Sequence, residues 1–447
     1  MWDRSLETGA PNHGGTRKIR SGQPRRLRVF FASHRRGHSQ RRPLAEQESR
    51  FRTGAASLSG SRTVLIVAGD PSGDLYGAML VKALRRRSDD VRVIAAAGKL
   101  MRETLDERRG DRFLTDLASI AVTGFVEPAR RIPMFFSLLS RIKRLFALER
   151  VDLFIPIDFY GFNRRVLGAA DAAGIPSVYL ISPQVWASRP GRIRMLKRFV
   201  SRMLVIFPFE ERLYRESGVP VTWIGHPLLE RLPAPDLDRS RGRSLRIGIL
   251  PGSRGSELKR HLPLLLKAAS RIAKDYPNLE LSVFAAPQQP DAAYQPHVRR
   301  WRSPKGKRAG IVRESDYFER ARQDLVLTSS GTATLENALL GLPMVVVYKL
   351  SWPTYFLARA LVKVEHIAMP NILAGKRLVP ELIQHEATAE SIAAAALNIL
   401  EDPRALHKMR RELAALRDVL GGSGAIDRAA DAVLREIRSR KPSEAAR

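Results

Sequence analysis

A carboxylate at the end of an apolar run is the first chemistry this chain offers. In VDLFIPIDFYGFNRRVLGAADAAGIPSVYLISPQVWASRPGR, residues 151–192, the β-rich run Val151 to Ile157 ends in Asp158. A helix-patterned segment follows, and Pro176 to Ile181 makes a second apolar strand. In an open α/β sheet, ligands bind beyond the carboxyl ends of the strands. A carboxylate there, with a glycine close behind it that lets backbone approach, is a candidate base. Asp is also a good N-cap, so spacing alone leaves Asp158 with two readings, base or cap.

Two further loops suit phosphate. In LRIGILPGSRGSELKRHLPLLLKAA, Gly252 and Gly255 flank Ser253 and Arg254 between a strand and a helix. Free N–H groups at the start of that helix can receive an anion, and Arg254 adds a planar, permanently charged fork. The GK[ST] ending of a Walker loop is absent. In DLVLTSSGTATLENALLGLPMVVVY the same logic recurs: Ser329, Ser330, Gly331 and Thr332 offer hydroxyls and backbone donors, and Glu336 follows on the helix. A carboxylate there can accept hydrogen bonds from ribose hydroxyls. Plain helix capping accounts for either loop alone. The two together raise a nucleoside diphosphate site to an equal reading.

The elements that carry these loops alternate strand and helix. Thr63 to Ala68 reads as a buried strand, Gly69 to Gly73 as a tight loop and Asp74 to Arg87 as a helix. The alternation runs to about Leu232 and resumes at Leu245, after a polar, Pro-containing stretch. This predicts a Rossmann-like half over 61–232, a linker over 233–244, a second Rossmann-like half over 245–386 and a helical segment over 387–447. A ligand is expected in the cleft between the halves. Residues 1–60 are rich in Arg, Ser and Gly with few large aliphatic side chains. They are expected to stay disordered, whether as a start site placed too far upstream or as a basic arm for nucleic acid or lipid.

Composition narrows the chemistry. The 447 residues include no Cys, which excludes disulfides, thiolate catalysis and zinc–thiolate sites. The nine His are scattered without ligand spacing, so neither a metal nor a cofactor is expected. With 76 Lys and Arg against 45 Asp and Glu, the net charge of +31 favours nucleic acid, anionic lipid or phosphorylated substrates without choosing among them. No apolar run reaches the ~18 residues of a spanning helix.

With these segments in view, the chain from about Arg62 to Leu434 closely resembles the lipid-A-disaccharide synthase family. The resemblance rests on AGDPSGD (68–74), TGFVE (123–127), IDFYGFN (157–163), SPQVWA (182–187), FPFE (207–210), IGHP (224–227), LPGSRGSE (250–257), SSGTATLE (329–336) and PNILAGKRLVPELIQ (370–384). It implies an inverting glycosyltransferase of GT-B fold in lipid A biosynthesis, condensing UDP-2,3-diacylglucosamine with 2,3-diacylglucosamine 1-phosphate. It further implies Asp158 as base, Gly252, Ser253, Arg254, Ser330, Gly331, Thr332 and Glu336 around UDP, and Asn371 and Gln384 in the donor pocket. Ser72, Asp74, Glu127 and Asn163 fall on the acceptor side, although Asp74 could equally cap a helix. His226 sits where the halves would meet, as linker or catalyst. Three positions depart from the family pattern: Asp70 stands where Glu is more frequent, Tyr160 where Pro is, and Ser188 where a second Trp is usual. These bear on acyl-chain preference more than on the reaction. Family members can dimerise through the C-terminal helices, and the tail here permits a homodimer.

Residues 126–150 carry Phe135, Leu138, Leu139, Ile142, Leu145 and Phe146 on one helical arc, with Arg141, Lys143 and Arg144 off it. That arc either packs on the sheet or lies in an anionic lipid surface. The resemblance brings the lipid reading level with core packing, and it implies a cytoplasmic protein on the inner membrane, with Phe135, Leu138, Leu139, Ile142 and Phe146 as its patch. The rival functions are a UDP-N-acetylglucosamine epimerase or a peptidoglycan glycosyltransferase, which should not share both IDFYGFN and PNILAGKRLVPELIQ, and a non-enzymatic basic binder. Nucleic-acid binding would want stacking aromatics among the basic residues, and aromatics are only 7%.

Overall fold

The computed structural model describes residues 61–118, 128–185, 191–238, 242, 244–287, 289–313, 317–350 and 365–439. All of them fall in one unit, Ser57–Arg447. The expected disordered extension, Glu127 and Ser188 lie outside the described residues.

In the first half, β1 (Arg62–Ala68), α1 (Pro71–Arg85), β2 (Val91–Ala97), α2 (Lys99–Arg102) and β3 (Arg112–Asp116) lead to the long α3 (Pro128–Leu148). Then come β4 (Leu153–Ile157), α4 (Tyr160–Ala172), β5 (Val178–Leu180), α5 (Gly191–Phe199), β6 (Arg202–Val205), α6 (Pro208–Glu216) and β7 (Val221–Trp223). The strands form one parallel sheet in the order β3-β2-β1-β4-β5-β6-β7. Strands such as RTVLIVA and LFIPI are buried along nearly their whole length, as continuous β-rich runs must be when helices cover both faces.

The second half repeats the plan. It contains β8 (Arg246–Leu250), α7 (Gly255–Asp275), β9 (Glu280–Phe284), β10 (Gly310–Val312), β11 (Leu325–Ser329), α8 (Thr332–Leu339), β12 (Met344–Tyr348), α9 (Met369–Ala374) and β13 (Glu381–Ile383). Its sheet, also parallel, has the order β10-β9-β8-β11-β12-β13. In both sheets the order reverses between the first and fourth strands. Such a switch point leaves a crevice at the strand ends where ligands bind.

The last helices divide between the halves. α10 (Ala389–Glu401) joins the core of the second half through Ile392, Ala393 and Ala396, and α11 (Pro403–Ala414) follows it. The final helix, α12 (Ala425–Arg438), returns to the first half, where Arg87 on the turn after α1 pairs with Asp427 and Asp431 at 2.7 Å each. One apolar cluster runs from Val64 and Ile155 through Ile224, Leu228 and Leu232 to Val326, Leu335 and Leu339. The halves are therefore joined by shared core as well as by chain.

Candidate active site

All three loops singled out from the sequence emerge at the switch points. Asp158 follows β4 directly, and the loop at Asp70 follows the neighbouring β1, with Ala68 opposite Ile157 in register. The chain turns from β4 into α4 through two consecutive left-handed residues, Asp158 (φ 41°) and Phe159 (φ 45°). Non-glycine residues hold such conformations at a cost of roughly 1–3 kcal/mol each, and only where their surroundings over-determine them. Here the surroundings do so. The Tyr179 hydroxyl and Asn163 Nδ2 donate to the Asp158 carbonyl at 2.6 and 2.9 Å, and the Asp158 N–H donates to the Leu180 carbonyl at 3.1 Å. The Phe159 ring lies over Gly69, where any Cβ would stand 2.2 Å from it.

The backbone of Asp158 is thus pinned while its carboxylate is left at the strand end. Burial, and then the charge of Asp70, pushes that carboxyl up to about 7. A carboxylate in that range is well matched to take a proton near neutral pH. The cap reading of Asp158 falls away, because α4 has Phe159 at its N-cap with no side-chain cap bond.

Asp70 was noticed in the sequence only as a departure. It is the N-cap of α1, its Oδ1 accepting from the Gly73 N–H at 2.7 Å, with Pro71 in the first helical turn. The helix begins earlier than the expected Asp74 because proline is pre-organised for that first turn. Asp74 is turned inward and buried, accepting from the N–H groups of Gly98, Leu100 and Met101 at 2.8 to 3.0 Å. It caps α2 and is not available to an acceptor. Ser72 is exposed beside it. Asn163 is fully buried and holds the β4 turn from below.

On the facing half, Gly252 has φ 108°, and a Cβ there would meet Glu257 Oε2 at 2.6 Å. Glu257 Oε2 accepts from the N–H groups of Ser253 and Arg254 at 3.1 and 3.2 Å, and its Oε1 from Arg254 Nη1 at 2.7 Å. The α7 N-terminus is therefore not open as the sequence suggested, because a carboxylate of its own helix already lies on it. Arg254, 73% exposed, stays at the surface of the crevice. His261, one turn on, reaches the carbonyls of Pro251 and Lys349 at 3.1 and 3.3 Å and ties the loop after β8 to the end of β12.

The second loop behaves differently. Gly331 is the N-cap of α8 (φ 153°) and brings no side chain of its own to cap that helix. Gly331 and Thr332 are exposed, whereas the Ser330 hydroxyl donates to the Ile367 carbonyl at 3.1 Å. Glu336 accepts from the Tyr317 hydroxyl at 3.1 Å and from Arg320 Nη1 at 2.6 Å. Burial, and then the charge of Glu336, pushes the Tyr76 hydroxyl up, and Asp70 adds to the same effect. Tyr76 lies on α1 of the first half, near enough for charges of both strand-end clusters to act on its hydroxyl. Tyr76, Tyr317, Arg320 and Arg231, whose guanidinium sits 5.6 Å from the Tyr317 ring centre, carried no motif that would have identified them.

Two expected donor-pocket residues turn inward instead. Asn371 is fully buried, with Nδ2 donating to Val379 O and Glu381 Oε1 and Oδ1 accepting from the Leu378 and Val379 N–H groups. Its four bonds fold the PNILAGKRLVPELIQ segment, and no free valence is left for a ligand. Gln384, in left-handed conformation (φ 52°), is buried with Oε1 accepting from the Leu350 N–H at 2.7 Å. His226 is buried and pushed down to about 3 by desolvation, its Nδ1 accepting from the Leu228 N–H. It is a neutral cap at the crossover and does not titrate near neutral pH.

Of the expected lipid patch, Leu138 and Ile142 are buried in the core of the first half, where they cannot meet lipid, and Phe135, Leu139 and Phe146 pack partly against that core. Among the described side chains of α3, the exposed large apolar ones are instead Ile132, Phe136 and Leu148. Among the described residues no helix is long and apolar enough to cross a membrane.

Two parallel, doubly wound sheets whose switch points carry a raised carboxyl on one side and glycine-rich loops on the other define a GT-B-type architecture. Solved structures of the same fold include a UDP-N-acetylglucosamine 2-epimerase from Neisseria meningitidis bound to UDP-GlcNAc (TM-score 0.56, 14% identity, 83% of this chain and 100% of that one). MurG from Acinetobacter baumannii is another (TM-score 0.53, 16% identity, 84% and 99%). Residues 64–435 match the family described as Lipid-A-disaccharide synthetase, and the chain belongs to that family. Relatives named Lipid-A-disaccharide synthase are 40% identical in Syntrophus aciditrophicus (85% of this chain, 98% of the relative) and 38% identical in Geobacter metallireducens (85% and 99%). The protein is a UDP-sugar-dependent glycosyltransferase of lipid A biosynthesis.

Proposed function

We propose that the protein transfers diacylglucosamine from UDP-2,3-diacylglucosamine to the 6-hydroxyl of 2,3-diacylglucosamine 1-phosphate. The products are the β-1,6-linked disaccharide 1-phosphate and UDP. The observation that carries this reading is Asp158, pinned by its backbone at the switch point with its carboxyl raised to about 7. Its ionised carboxylate takes the proton of the acceptor hydroxyl. That oxygen forms the new bond to the anomeric carbon as the bond to the diphosphate oxygen breaks on the opposite face. The electron pair leaves with UDP and the configuration inverts.

The departing charge is met by Arg254 and the α7 N-terminus once Glu257 swings away, by Ser253 and Gly252 beside them, and by the start of α8 at Ser330, Gly331 and Thr332. Glu336 accepts from the ribose. Ser72 lies on the acceptor side of the crevice. General-base help of this kind is worth about 10²–10⁴-fold. Because both sugars are acylated, the enzyme works at an anionic membrane surface, with the exposed apolar edge of α3 and its neighbouring Arg141 and Lys143 turned to the lipid.

The test is turnover of wild type and Asp158→Asn with both substrates in detergent micelles. Disaccharide from wild type, and its near absence from a variant that still binds UDP, supports the reaction and the base together. Equal rates would remove Asp158 from the mechanism.

A further inference from the structure

We propose that the groove between α3 and α4 is an acyl-chain slot for the acceptor lipid and that Gly161 sets its size. This rests on the substrates proposed above. The groove encloses about 380 Å³, within the usual range of small-ligand sites. Its walls are Ile132, Phe135, Phe136 and Leu139 from α3 and Phe159 and Phe162 from the turn into α4. Phe159 is the residue after Asp158, so the slot begins one residue from the proposed base.

Three features distinguish it from a surface imperfection. First, α3 is apolar on more than the face the fold uses. Leu138, Ile142 and Leu145 fill the core, while Ile132 and Phe136, four residues apart on another face, are 49% and 56% exposed. Second, the rings of Phe135, Phe159 and Phe162 stand 5.5 to 6.3 Å apart in tilted pairs, which gives the slot a firm aromatic wall. Third, among the described residues the lining carries one charge, Arg165, which reaches back to the Gly161 carbonyl at 3.1 Å and suits the ester or phosphate oxygens of a lipid headgroup.

Gly161 is the telling residue. It lies in the first turn of α4 with no positive φ, and glycine is among the poorest helix formers. The backbone therefore does not require it. Nothing lies within 4 Å of where its Cβ would be. Gly161 is exposed and lines the groove, so a side chain there would enter open space at the groove wall and narrow it without straining the fold.

Gly161→Met and Gly161→Ala test the idea by two measurements. In the first, cis-parinaric acid is titrated by fluorescence, with UDP affinity and thermal melting as controls of folding. Wild type is expected to bind the probe, with affinity falling about fourfold in the Ala variant and at least tenfold in the Met variant, since each buried carbon group is worth close to a fourfold change. In the second, kcat/KM is measured against acceptor acyl length. The wild-type value should climb about fourfold per methylene until the slot is full, and the Met variant should reach its maximum at a shorter chain. Identical probe affinities and superimposable length profiles for all three proteins would overturn the slot, leaving the exposed residues of α3 as a membrane surface alone. Probe binding that falls as expected, with no disaccharide from any of the three proteins, would keep the slot and reject the proposed substrates.

Discussion

Asp70 and Asp158 leave adjacent strand ends of the first sheet, with Ala68 opposite Ile157, and the charge of the first helps hold the proton on the second. Two carboxylates at one switch point make the base stronger than an isolated Asp. Asp70 also keeps one oxygen on the Gly73 N–H, so its position is set by the start of α1 and is independent of any ligand.

The acidic limb of the kcat/KM profile should report this pair. A base is active when deprotonated, so activity should rise with pH through about 7, the value to which the Asp158 carboxyl is raised. Removing the neighbouring charge in Asp70→Asn removes a cause of that rise, and the limb should move to lower pH. Asn retains an oxygen for the Gly73 N–H, so α1 should stay capped. A profile that does not move on substitution would mean that burial alone raises Asp158. In Asp158→Asn, turnover should fall by about 10²–10⁴-fold and the limb should vanish.

Arg254 and Glu257 sit three residues apart and should give opposite phenotypes. Arg254 is 73% exposed and bonded to Glu257 at 2.7 Å. Arg254→Ala should leave the melting temperature nearly unchanged and weaken UDP by about 10–100-fold, the loss of one charge-assisted bond of roughly 1.5–3 kcal/mol. Glu257→Ala removes the acceptor for the Ser253 and Arg254 N–H groups. It should destabilise the fold by about 1 kcal/mol, as lost helix caps do. Calorimetry with UDP alongside thermal melts separates the two, and an Arg254→Ala protein with wild-type UDP affinity would move the diphosphate to the α8 loop.

The sheets were legible because buried parallel strands read as continuous apolar runs, and because glycine, proline and Asp mark the turns between them. The candidate loops were legible at the strand ends, where Asp158, Arg254 and Gly331 carry local signals. What could not be read was the direction of each side chain. Asp74 and Asn371 look like site residues because they are polar and stand in site motifs, yet both turn inward. Asp74 bonds the backbone of the segment at 98–101, and Asn371 the backbone of its own segment at 378–379. Tyr317 and Arg320 bond Glu336 within the second half, and Tyr76 comes within reach of its charge only because the halves are folded together. No periodicity records a contact between segments so far apart in the chain.

Asn371 should prove a folding residue. All four of its hydrogen-bonding positions are satisfied in a fully buried site. Asn371→Ala strands two N–H groups and a buried carboxylate partner, each such loss costing about 1–3 kcal/mol. The melting temperature should drop by several degrees, and UDP binding by the folded fraction should be retained. A variant that melts like wild type but binds UDP weakly would return Asn371 to the donor pocket.

The two faces of α3 should also separate. Ile142 is fully buried and Phe136 is 56% exposed on the same helix. Ile142→Ser leaves a cavity and a hydroxyl in the core, a loss of about 2–5 kcal/mol by analogy with large-to-small changes, and should lower the melting temperature whether or not lipid is present. Phe136→Ser removes an exposed ring and should leave melting within about 0.5 kcal/mol of wild type. If α3 meets the membrane with this edge, Phe136→Ser should weaken binding to anionic phospholipid vesicles severalfold, and added salt should weaken it further by screening Arg141 and Lys143. Vesicle flotation at two salt concentrations gives the answer: binding that depends on salt but not on Phe136 would assign the membrane contact to charge alone and leave the apolar edge of α3 wholly to the acceptor lipid.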